Sequence, residues 1–169
     1  YAWLCAALRR YASDERVMSV SGWTHPRVTP PDTGNQPYFD GRAECWVWGA
    51  YSRSWRGMEQ TALEKKQSVV DCGLPADAYG ADLPVMAQAE TVKNIWAVRW
   101  IYHHLQHRGL CLRPPWSLVE HIGFDAKATN AEHATAWRNP ILRPPPAIPE
   151  VWPEPLEQAG CQALWAREY

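Results

Sequence analysis

The chain has very little phenylalanine: 2 Phe against 11 Trp and 7 Tyr in 169 residues. Most of its aromatic area therefore comes from rings that also carry a polar handle. No window reaches the ~18 consecutive apolar residues that a membrane-crossing helix needs. The opening stretch, YAWLCAALRRYASDER, places its Arg pair after the apolar run, the wrong order for a secretory signal. There is no excess of either charge; the net charge is -1, which excludes a global electrostatic footprint for nucleic acid or an anionic membrane. The five cysteines, Cys5, Cys45, Cys72, Cys111 and Cys161, form no CxxC, so neither a zinc ribbon nor a redox motif is signalled. They read as mostly buried thiols of a reducing compartment, and a cytoplasmic location is expected. Phosphate-cradling GxxxxGK[ST], dinucleotide-type GxGxxG and nucleophile-elbow GxSxG are all missing.

What is present is an ordinary globular balance, with 46% hydrophobic and 21% charged residues. Residues 2–12 fit a helix, and Val17–Ser21 alternates as a strand closed by Gly22. Prolines and glycines make 24–41 a loop. Residues 43–48 suggest a second strand, and 50–70 look helical with a break at Gly57. The longest helical signal runs from about Val85 to His107, with Gly109 as its terminator. Leu110–Leu112 and Ser117–Val119 read as short strands. Seven prolines between Pro140 and Pro155 make an extended arm, and 156–168 closes with a short helix.

Several side chains carry candidate chemistry. His103 and His107 have the spacing of a zinc pair on a helix, but the zincin Glu is absent and no third ligand is signalled, so no metal ligand is assigned. Asp82 and Glu90 flank a helix start, where a general base often sits and where acidic groups also suit the helix dipole. Trp46 and Trp48, two apart, share a strand face, and Trp96 and Trp100, four apart, share a helix face. Such rings stack on sugars and equally fill cores. Arg99 and Arg113 are candidates for two-point phosphate binding or for structural ion pairs.

Three blocks, in order, carry a resemblance. Residues 96–125, WAVRWIYHHLQHRGLCLRPPWSLVEHIGFD, resemble the W-x-[IV]-R-W helix, G-L-x-L-x-P turn and S-L-V-x-N-I-G-x-D segment of bacterial family 2-like GT-A glycosyltransferases. Residues 45–55, CWVWGAYSRSW, are similar to their C-W-G-W-x-x-W-x-x-x-W segment. Residues 7–22 look like the helix and strand that follow the metal-binding motif. A more distant similarity is to the N-acetylglucosaminyltransferase I type.

The resemblance implies an α/β chain, the C-terminal acceptor-side portion of a GT-A fold with a mixed sheet, helices and a Pro-rich tail. It divides the chain into 1–139, the transferase portion, and 140–169, the arm and terminal segment. It implies transfer of a sugar from a nucleotide-sugar donor to a glycan or other hydroxyl acceptor. A divalent Mn or Mg would be held by an acidic motif lying before Tyr1, in a missing N-terminal half. Trp46, Trp48, Trp96, Arg99, Trp100, Arg113 and His121 are the expected substrate-binding residues. Glu90, Asp82 and position 94 are the expected catalytic ones. Asn94 stands where the group has Asp, and an amide is no general base at neutral pH. Residues 126–130, AKATN, replace the group's G-S-G-x-H, and His121 replaces its usual Asn. These departures favour the alternative of a non-catalytic carbohydrate-binding or interaction module.

Overall fold

The computed structural model describes residues 1–93, 95–120 and 143–169. Among these, four short strands make one mixed sheet: β1 (Val17–Ser21), β2 (Tyr38–Asp40), β3 (Trp48–Ala50) and β4 (Leu110–Arg113), in the order β2-β4-β1-β3. The pair β1 and β4 runs parallel, while β3 on β1 and β2 on β4 run antiparallel. Helix α1 (Ala2–Arg10) covers one face of the sheet. On the other face lie α2 (Ala62–Asp71), α3 (Asp82–Ala89), α4 (Ala97–His107) and α5 (Cys161–Glu168).

This two-sided cover explains why β1 is buried at every position. Its pairing with β4 shifts register between Val17 and Ser19. The irregularity lets Val17 and Val20 both join Trp3, Ala7, Tyr11, Phe39 and Leu112 under α1. Ser19 points the other way and shares a 2.9 Å hydrogen bond with His104 on α4.

The helices start and stop for local reasons. Thr61 and Glu64 close a reciprocal capping box on α2. The expected single helix from Val85 to His107 is two helices, α3 and α4. Thr91 and Val92, both β-branched, follow α3, and the Thr91 hydroxyl donates to Gln88 O at 2.8 Å, competing with helix propagation. At the end of α4 the left-handed residue is Arg108, at φ 50°, not Gly109. Gly109 is required for a different reason: a Cβ there would overlap Met18 Sδ on β1.

Elsewhere the chain departs from its pattern. The strand expected at 43–48 is β3 at 48–50, because Val47 turns the backbone to φ 44°, and the expected loop 24–41 also holds a 3-10 turn (Pro31–Thr33) and β2, which pairs with β4. Residues 50–70 hold a 3-10 turn (Ser52–Trp55) and then α2, with Gly57 at φ 85° between them. Residues 117–119 form no strand.

The described part of the Pro-rich arm wraps its own domain. Trp152 packs on Trp3 and Tyr11, and Tyr11 donates its hydroxyl to Pro153 O at 2.6 Å. Beyond it, α5 sends Trp165 into the core formed by α2, α3 and α4. All five cysteines are unbridged; Cys111 and Cys161 are buried, but Cys5 and Cys45 are half-buried and Cys72 is exposed, so the expectation of mostly buried thiols is corrected. Among the described residues, no helix is long and apolar enough to cross a membrane.

Candidate functional site

Four indoles meet where β3, the 52–55 turn and the start of α4 come together. Trp48 opens β3, Trp55 closes the turn, and Trp96 and Trp100 stand four apart at the entry to α4. Trp100 is fully buried and reaches Ala43 and Cys111 at the sheet. Trp55 stacks on it with centroids 4.9 Å apart. Trp48 lies 5.2 Å from Trp100 and 6.0 Å from Trp96, and Trp55 lies 6.3 Å from Trp96. The result has two tiers: a buried floor and two open rings, with Trp55 42% and Trp96 39% exposed.

Trp46 is not part of this surface. The turn at Val47 separates it from Trp48, and its ring packs on Trp23 at 4.4 Å. The expectation that Trp46 and Trp48 share a strand face is corrected accordingly. Trp55, which ends the CWVWGAYSRSW block, is a site residue that a helical reading of 50–70 does not indicate, because it is the 52–55 turn that returns its ring to Trp100.

Beside the indoles, Arg99 Nε donates to Glu90 Oε1 at 2.9 Å. The other oxygen of Glu90 accepts the Ala62 N–H at 2.8 Å. Glu90 thereby ties the end of α3 to the starts of α2 and α4. Asp82 is elsewhere, held by both terminal nitrogens of Arg42 at 2.9 and 2.7 Å. Both candidate bases are thus ion-paired.

Arg42 and Arg113 form a buried charge centre. Arg113 is 0% exposed, with its Nε 2.8 Å from Asp40 Oδ2 and its Nη2 donating to Arg42 O at 2.7 Å. Trp165 Nε1 donates to the same Asp40 oxygen at 2.9 Å, and its ring lies 4.3 Å from the Arg42 guanidinium. Glu44 stands 3.7 Å from Arg42 Nε and 4.0 Å from Arg113 Nη2, and burial raises its pKa. This geometry matches the structural ion-pair reading of Arg113.

The histidine pair is committed to packing. His103 Nε2 donates to Ser54 O at 2.9 Å, which leaves Nδ1 as acceptor for the Lys65 ammonium at 3.0 Å. His107 lies against it at 4.6 Å between rings. Neither nitrogen of His103 is left for a metal. His104 is likewise closed: Nδ1 donates to Trp100 O and Nε2 accepts from Ser19.

Among the described residues, one group brings three ligand-type atoms together: Asp40, Glu157 and Cys161. It does not fit Mn or Mg. Asp40 is taken by Arg113 and Trp165, and Glu157 by the Tyr79 hydroxyl and the Gly41 N–H. Burial raises the Cys161 pKa, so the thiol stays protonated, and hard cations prefer oxygen. Asn94 and His121 lie outside the described residues. No family model, curated protein or solved structure matches the chain.

Proposed function

We propose that the chain forms the acceptor-binding side of a GT-A-type glycosyltransferase, which moves a sugar from a nucleotide-sugar to an acceptor hydroxyl. One observation carries the reading: an open surface of half-exposed indoles, Trp55 and Trp96, backed by Trp48 and Trp100 and flanked by the Arg99–Glu90 pair. Indole faces suit the apolar faces of sugar rings, and a neighbouring fixed charge pair suits their hydroxyls. In transfer, a carboxylate takes the acceptor hydroxyl's proton, the oxygen attacks the anomeric carbon, and the nucleoside diphosphate leaves with the bonding electrons. Glu90 is the candidate base tied to this surface, through Arg99. The 169 residues contain no Asp-x-Asp, and no step is assigned to a metal here.

A second reading, a carbohydrate-binding module without catalysis, is favoured by the ion pairing of both Asp82 and Glu90. Two measurements test these readings. Titrating the chain with neutral glycans while following indole fluorescence gives quenching that Trp96→Ala removes; absence of binding across the panel overturns both. Turnover of nucleotide-sugars with Mn²⁺ by the protein carrying the expected N-terminal nucleotide-binding half, lost in Glu90→Gln, selects the enzyme; these 169 residues alone should bind without turnover on either reading. Binding without turnover in that longer protein selects the module.

A further inference from the structure

Lys65 is fully buried and, among the described residues, forms no ion pair with a carboxylate. A buried ammonium is costly unless neutral acceptors surround it. Here Gly57 O lies at 2.6 Å, His103 Nδ1 at 3.0 Å, Gln60 Oε1 at 3.3 Å and Gln106 Oε1 at 3.5 Å. The arrangement is specific in what it holds. His103, gripped by Lys65, donates to Ser54 O, and Lys65 itself donates to Gly57 O. Those two carbonyls lie one residue before Trp55 and two after it. Gly57 takes φ 85°, so this backbone is not a shape that the chain adopts by default.

We propose that Lys65 and His103 are positioning residues for the indole surface, clamping the turn on both sides of Trp55 so that its ring stays stacked on Trp100 with its outer face open to a neutral sugar ring. The sugar rests on the function proposed above; the clamp itself does not. Trp55 is then the second stacking ring beside Trp96, and Lys65 and His103 act on the ligand only through it.

The experiment reads two signals. One is the exciton couplet that two stacked indoles give in circular dichroism. The other is affinity for cellobiose, maltose and N,N′-diacetylchitobiose by tryptophan fluorescence. Trp55→Phe abolishes the Trp55–Trp100 couplet and sets its reference. Trp55→Ala weakens sugar binding roughly five- to tenfold. Lys65→Met loses the couplet and weakens binding by a similar factor, and adding it to Trp55→Ala causes no further loss. A folded Lys65→Met protein that keeps couplet and affinity, or a fully additive double variant, overturns the proposal.

Should Lys65→Met not fold, His103→Leu and His103→Gln decide. The Gln amide retains a donor for Ser54 O and keeps the couplet, whereas Leu loses it; equal couplets in the two overturn the clamp. If none of the three sugars binds, the acceptor-side reading loses its support, while the couplet still decides on Lys65 and His103.

Discussion

Trp55 lies face to face with Trp100, centroids 4.9 Å apart and planes 28° apart, one ring 42% exposed and the other fully buried. The pair divides stability from binding. Trp100→Ala removes a large ring from the junction of α4 and the sheet and should cost about 3–5 kcal/mol, the usual range for a buried Trp. Trp55→Ala should cost about 1–2 kcal/mol, because much of its ring already meets water. Urea unfolding of the two variants checks this ordering, and equal losses would contradict it.

The sequence made the participants of this surface visible, but not their grouping. Trp96 and Trp100 are readable as neighbours because helical spacing brings residues four apart together. Val17–Ser21 and Leu110–Leu112 are likewise readable as strands, because Gly22 and Gly109 punctuate the pattern beside them. The grouping of Trp48 with Trp55 depends on two backbone events that side-chain periodicity does not encode: the positive φ of Val47 and the turn at Ser52–Trp55. Likewise Arg113 carries no sequence mark distinguishing a ligand clamp from an ion pair. Its partner Asp40 is 73 positions away, joined to it only by the pairing of β2 with β4.

The Asp40–Arg113 pair leads to a prediction about asymmetry. Removing one member strands the other charge in a site with almost no solvent. Arg113→Met, leaving Asp40, should lower stability by about 3–5 kcal/mol, and Asp40→Leu by a similar amount. The double variant removes both charges and should be more stable than either single one. Trp165 then lacks its acceptor, so recovery stops short of the wild type. Chemical denaturation of the three variants gives the coupling energy. A double variant as weak as the sum of the singles would show that the two charges do not depend on each other.

Gly109 and Met18 make a prediction about space. A methyl group at Gly109 meets Met18 Sδ on the neighbouring strand, at the point where α4 hands over to β4. Gly109→Ala should destabilise the fold by about 1–3 kcal/mol, the range for overpacking. Because Met is flexible and unbranched, Met18→Ala in the same background should recover part of that loss. Thermal melts of the single and double variants measure it. If Met18→Ala only adds to the damage, contact with Met18 does not explain the glycine.

Three buried histidines set the acid side of stability. Burial lowers the pKa of His103 to about 4, with the Lys65 ammonium acting in the same direction. It lowers His104 and His25 each to about 3. Each is neutral in the folded chain but takes up a proton near its ordinary pKa of about 6.5 when unfolded. The unfolded state therefore binds more protons below about pH 6.5, so stability falls as the medium becomes more acidic, by about 1.4 kcal/mol per pH unit for each such histidine. The contribution is complete above pH 6.5 and gone once the pH passes below the folded values near 4 and 3. Glu44 and Glu157 oppose this, since burial raises their pKa and the folded state holds their protons more tightly. Three histidines thus act against two carboxyls, and between about pH 5.5 and 6.5 the share of one histidine is read as the difference between the wild type and a His104 variant. Urea midpoints measured across that interval should fall steadily with acid. In His104→Gln, whose amide takes no proton, the slope should be shallower, even though the variant is less stable at pH 7. An unchanged slope in that variant would mean that His104 is protonated within the fold, its Nε2 then donating to Ser19 Oγ instead of accepting from it.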